Sequence, residues 1–307
     1  MTLILNSVIP TFAIIALGNV LKRFQLIDDT FIRMSDSLIY YIFFPALLFW
    51  KIGKPSAGST VETQLILAVF SAVFCVFLLS LMFVKLLRVP DYAVGSFSQG
   101  CFRFSTYIGM AVMLPALGEG GVRQLGVLIG FVIPFINVLA VSTLIWFSGE
   151  GHVWSGKAVL LIKTTLLNPL IIACVLGIVY SHLNTPFPGS VDNTLRLLSL
   201  LALPLALISI GGSLTVEKLR GHLKYASAAA SFKLIILPAV GYSCLRLFHV
   251  SGLPFTVAMI YFALPTSPAN YILSAQLNSD VDLATAAIVF STLLSIGSLS
   301  AVLMIFG

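Results

Sequence analysis

Read with a window of about 19 residues, the chain is a succession of apolar blocks separated by short polar stretches. The blocks lie near 3–21, 35–53, 64–87, 92–116, 124–148, 158–180, 193–214, 225–248, 254–278 and 283–306. Each is long enough to cross roughly 30 Å of hydrocarbon as a helix, and the short links make most neighbours antiparallel. The pattern predicts an all-α integral membrane protein of ten transmembrane helices. Four blocks are less apolar or more broken than the rest. The second carries Asp36 and Pro45, the fourth Arg103, the eighth Lys233 and Pro238, and the ninth Pro265 and Pro268.

Composition narrows the picture further. Of 307 residues, 59% are hydrophobic and only 9% charged, which is too little polar side chain to cover the surface of a water-soluble fold. Coiled coil, collagen and disorder are excluded with it. The net charge of +6 is scattered in ones and twos between apolar blocks, so it reads as loop charge that sets topology, and nucleic acid is not an expected partner. With the N-terminus outside, ten Lys and Arg fall on the cytoplasmic side and five outside; an even number of spans then puts the C-terminus outside too. The positive pair Lys22-Arg23 follows the first block, the reverse of a signal peptide, so that helix is expected to stay. Cys75, Cys101, Cys174 and Cys244 form no C-x-x-C pair and lie within apolar stretches, against disulfides and a zinc site.

A faint internal repeat divides the chain into 1–150 and 158–307. Asn6 in the first block answers to Asn168-Pro169 in the sixth, and Pro45 to Pro204, each read as a helix-breaking residue. Pro45 to Ser105 is 60 positions and Pro204 to Thr266 is 62, so the irregular parts of blocks four and nine correspond. Five spans per half is odd, which requires the halves to be inverted relative to each other, as in many carriers.

The chemistry gathers in those two blocks. Residues Arg103, Ser105, Thr106, Tyr107 and Gly109 stand where lipid-facing sequence should be. In block nine, Pro265 and Pro268 remove two backbone donors within one turn, around which Thr266, Ser267 and Asn270 cluster. Two unwound helices meeting at mid-membrane would present two half-helix N-termini to an anion and freed carbonyls to a cation. The plainer alternative is a pair of proline kinks with hydroxyls bonded to their own helices. A charge within a span costs about 2.5–3.5 kcal/mol on insertion scales, so Arg103 is read as an anion contact or gating residue, against snorkelling or pairing with a carbonyl. Lys233 is read as a charge-balancing amine, able to lose its proton or to stand for a sodium ion, against snorkelling to the cytoplasmic surface. Asp36 reads as its counter-ion or a proton carrier, or else as a helix-start residue at the interface. Asn6, Asn137, Asn168, Gln276 and Tyr40 are weaker candidates.

The phrases "FRFSTYIGMAV", "ALPTSPANYILSAQLNSD", "SDSLIYYIFFPALLF" and "FKLIILP" together resemble the auxin efflux carrier family, in its bacterial branch of malonate and related organic-acid permeases. The resemblance covers essentially the whole chain. It implies two inverted five-helix repeats, similar to bile-acid sodium symporters, with helices four and nine crossing as broken helices. Where Ser105 stands, family members often carry Asn, which changes the hydrogen bonds on offer. The function implied is secondary transport of a small organic anion, such as malonate, malate or an auxin-like acid, across a bacterial inner membrane. The alternative is a sensor or binding subunit of the same fold that moves nothing. No enzyme signature and no Walker loop occur in the sequence, so no catalytic role and no cofactor is expected. Energy is expected from a gradient of substrate, proton or sodium. Lipid and the substrate anion are the expected partners, with a homodimer through an apolar face consistent with the sequence.

Overall fold

A computed structural model describes residues 2–54, 63–147, 167–183, 185–214 and 219–307. Its helices are α1 (Thr2–Arg23), α2 (Asp29–Leu38), α3 (Phe44–Gly53), α4 (Thr63–Leu87), α5 (Asp91–Phe102), α6 (Thr106–Phe147), α7 (Pro169–Ser181), α8 (Gly189–Ser213), α9 (Leu219–Ser231), α10 (Leu237–Leu247), α11 (Gly252–Ala263), α12 (Ala269–Gln276) and α13 (Val281–Phe306). There is no strand among the described residues. Among the described residues, six helical runs are long and apolar enough to cross a membrane: 29–53, 63–87, 91–147, 189–213, 221–247 and 281–306. The start of the expected sixth span, 158–166, and the topological charges Lys157, Lys163 and Lys218 lie outside the described residues.

Local sequence explains where these helices begin. Asp28 caps α2 by accepting from the Phe31 N–H at 2.7 Å, Asn168 caps α7 through the Leu170 N–H at 2.9 Å, and Asp280 caps α13 through the Leu283 N–H at 2.8 Å. One expectation changes here. Asp36 lies two turns inside α2, so it does not start that helix.

The run from Asp91 to Phe147 has 57 residues, which at 1.5 Å per residue is about 85 Å, far more than one crossing of hydrocarbon. It is divided by the non-helical Arg103-Phe104-Ser105 and again at Gly118, whose φ of +64° no β-carbon tolerates well.

Prolines behave less uniformly than block-breaking would predict. Pro204 sits inside α8 with the helix continuous through it. Pro45 and Pro238 each follow a five-residue π turn, Ile39–Phe43 and Phe232–Ile236, that joins α2 to α3 and α9 to α10 without a break. A proline cannot donate to the carbonyl four residues back, and the ring crowds it, so the backbone widens by one residue. The freed Leu234 carbonyl accepts instead from the Ser298 hydroxyl of α13 at 3.2 Å.

Packing sorts the helices into two groups. α1, α2, α3, α7 and α8 pack among themselves, while α4, α5 and α9 to α13 pack among themselves together with α6. α6 also lies against α1, α3, α7 and α8 and so forms most of the boundary between the groups. In the first group α1 and α8 approach until a β-carbon on Gly211 would stand 1.8 Å from the Ile15 carbonyl oxygen. Asn19 ties the same pair, donating to the Leu214 carbonyl at 3.2 Å.

Candidate functional site

Two helices are interrupted inside the second group, and their interruptions touch. The Ser105 N–H, between α5 and α6, donates to the Pro265 carbonyl, between α11 and α12, at 2.9 Å. The Thr266 hydroxyl donates back to the Gly100 carbonyl of α5 at 2.9 Å, and its N–H donates to the Ser291 hydroxyl of α13 at 3.1 Å. Further along, the Asn270 amide, fully buried, donates to the Ser96 carbonyl at 3.1 Å and accepts from the Ser274 hydroxyl at 3.3 Å. Ser96 in turn bonds Ser274 at 2.8 Å and Ser279 at 2.9 Å. Irregular backbone at this depth must find protein partners, and here each break supplies them to the other.

Two buried cations, Arg103 and Lys233, serve the same breaks. Arg103 is the C-cap of α5 and 7% exposed; its guanidinium donates to the Gln99 side-chain oxygen at 2.8 Å and to the Asn137 oxygen of α6 at 2.7 Å. Lys233, in the π turn before α10, is wholly buried and donates to the Phe262 carbonyl at 2.9 Å. Phe262 is the penultimate residue of α11, so its carbonyl has no intrahelical partner. Each half-helix that ends in the interior thus meets a cation at its negative end. Neither Lys233 nor Arg103 reaches the surface as a snorkelling side chain.

The remaining candidates divide by place. The Ser105 hydroxyl accepts from the Ile108 N–H at 3.5 Å and caps α6. Thr106 opens α6 and Tyr107 follows it, its ring edge-on to Phe44 of α3 at 4.6 Å across the boundary between the groups. The hydroxyls of Thr106 and Tyr107 bond no other described residue. Gly109 lets Leu264 pack against α6, since a β-carbon there would meet Leu264 Cδ1 at 2.8 Å. The Ser267 hydroxyl accepts from the Ala269 N–H at 3.2 Å, with Pro268 as the N-cap of α12. Asp36 accepts a short hydrogen bond from Ser209 of α8, and Lys233 is bonded to a carbonyl; the structure therefore does not bring these two together as an ion pair. Asp36 and Tyr40 instead lie in electrostatic reach of Tyr107, and Tyr40 in reach of Arg103. Sequence reading passed over Gln99 and Ser96 and underrated Asn137, because an amide or hydroxyl in an apolar block carries no sign of its partner until the helices pack. No cluster of His, Cys, Asp and Glu able to hold a metal occurs among the described residues.

Comparison with known proteins finds similarity to membrane transporters. Residues 152–303 match the family described as membrane transport protein. An uncharacterized transporter of Methanocaldococcus jannaschii is 22% identical over 299 residues, covering 95% of each chain. An uncharacterized transporter of Methanothermobacter thermautotrophicus is 28% identical over 162 residues, 52% of this chain and 53% of that one. A protein of Rhizobium meliloti named "Putative malonate transporter" is 23% identical over 307 residues, 98% of this chain and 95% of its own.

Proposed function

The chain belongs to the membrane transport protein family, that of the auxin efflux carriers, and from that premise we propose that it is a secondary transporter of a small organic anion. The observation that carries the reading is the pair of helix interruptions hydrogen-bonded to each other through Ser105 and Pro265. In this reading the chain spans the membrane ten times as two inverted five-helix repeats. α5 with the part of α6 before Gly118, and α11 with α12, are the fourth and ninth spans, crossing at their breaks. Arg103 and Lys233 occupy the negative half-helix ends, so the positive N-terminal ends of α6 and α12 keep their potential for an anion. Thr106 and Tyr107, whose hydroxyls bond no other described residue, are the contacts we assign to the carboxylate, with Ser105 holding the turn that presents them. Asn270 and Thr266 hold the crossing together and act on substrate through its shape.

Transport proceeds by alternating access, the group containing α4 to α6 and α9 to α13 shifting against the other. The boundary is suited to this because it runs largely along one helix, α6. Asp36, bonded to Ser209 of α8 and in electrostatic reach of Tyr107, is the residue we assign to proton coupling, and a sodium-driven cycle is the competing case. The name of the Rhizobium meliloti relative makes malonate the first substrate to try.

The test is flux into proteoliposomes of malonate, malate, succinate, acetate and indole-3-acetate, with proton and sodium gradients imposed in turn. Saturable flux of one anion, reduced at least tenfold by Thr106→Val, supports the reading. Leak-level flux for all five anions, with one of them still raising the unfolding temperature, replaces it with a binding or sensing role.

A further inference from the structure

At one end of the molecule the charges do not balance within each group of helices. The first group carries Lys51 and Lys54 at the end of α3 around Trp50, and Asp192 in the first turn of α8. Asp192 accepts from the Trp50 indole N–H at 2.7 Å and lies 4.0 Å from the Lys54 ammonium, so Lys54 is matched inside its own group. Lys51 is not. Its ammonium, with the side chain 6% exposed, reaches across to Glu119 of α6 at 2.5 Å, one residue beyond the Gly118 interruption. The other ion pairs on view, Lys22–Asp29, Lys54–Asp192 and His222–Asp280, each stay within one group.

We propose that Lys51 and Glu119 form a latch that holds this end of the boundary shut and must open whenever the two groups part there. The inference rests on the alternating-access reading above. A buried ammonium loses its hydration and keeps its charge only if a counter-charge stays close, so separating the pair requires water to enter at the same moment. Glu119 suits the moving half of the contact. It is two-thirds exposed and follows a glycine in a conformation that works as a joint, while Lys51 is fixed beneath the Trp50 ring, 4.4 Å from its centroid. Directly below, Ile52 packs into both Gly126 of α6 and Gly177 of α7, and Cys174 of α7 donates to the Gly126 carbonyl at 3.3 Å. Opening at Lys51–Glu119 would uncover Cys174, a wholly buried natural reporter at the same boundary.

The experiment uses the full chain in membrane vesicles of both orientations, with Cys75, Cys101 and Cys244 changed to Ser so that Cys174 alone reacts. A membrane-impermeant maleimide is applied in wild-type, Glu119→Gln and charge-exchanged Lys51→Glu/Glu119→Lys backgrounds, and malonate flux is measured alongside. The latch predicts that E119Q raises the Cys174 labelling rate about tenfold from one side only, and that the exchanged pair returns it to within twofold of wild type. An E119Q protein that melts like wild type, carries flux and labels no faster overturns the latch and leaves the carrier standing. Increased labelling that the exchanged pair does not reverse also overturns it, since loss of the pair would then be only local loosening. Wild-type protein that moves none of the anions overturns the carrier reading, and the latch with it.

Discussion

At the scale of single residues, the two intramembrane cations have a local physical cause. Arg103 and Lys233 each sit at the carbonyl end of a helix that stops in the interior, and neither pairs with an acid among the described residues. Two consequences can be measured. Asn137→Ala leaves one edge of the Arg103 guanidinium buried without an acceptor, which costs about 2 kcal/mol. Thermal unfolding in detergent should show the loss, and Asn137→Asp, which supplies a carboxylate, should recover it. Lys233→Met strands the Phe262 carbonyl and removes the charge that offsets the α11 dipole. Malonate flux is expected to fall at least tenfold in protein that still elutes as a folded species. Full flux in this variant would mean that the lysine serves packing alone.

At the scale of elements, small departures from the α-helix do most of the positioning. The π turns before Pro45 and Pro238 keep their helices continuous, and Ser298 supplies the donor that Pro238 cannot. The α1–α8 contact depends on bare backbone, so Gly211→Ala, whose new carbon would overlap the Ile15 carbonyl, should force the helices apart. Overpacking of this kind costs about 1–3 kcal/mol, readable as a lowered midpoint of unfolding. If α1 and α8 belong to the group that stays still, the same variant should lose stability without a change in substrate preference.

At the scale of the whole molecule, the proposed ten spans would place both chain ends on the same side of the membrane. Cysteine tags placed at residue 1 and after residue 307 should both react with an impermeant reagent from the outer face, and reaction from opposite faces would require an odd number of crossings. The apolar blocks, their approximate limits and the two interrupted segments were legible in the sequence, because a helix in lipid must be long and apolar, and any exception stands out against that background. The fates of the prolines were not. Pro45, Pro204 and Pro238 look alike in an apolar run, yet two follow π turns and one sits in an unbroken helix.

The sequence by itself determined that this is an all-helical, multi-pass membrane protein similar to membrane transporters. Hydropathy is a property of each segment alone and survives without knowledge of its neighbours. It also marked Arg103, Lys233, Ser105 and Thr266 as residues out of place in lipid. Only the tertiary structure decided what satisfies them: Gln99 and Asn137 for the arginine, a helix-end carbonyl for the lysine, and each broken segment for the other. It likewise separated Asp36 from Lys233 and joined Lys51 to Glu119. Those partnerships join segments far apart in the chain, 166 residues in the case of Thr266 and Gly100, and so depend on which helix faces which, a fact that no single stretch of chain contains.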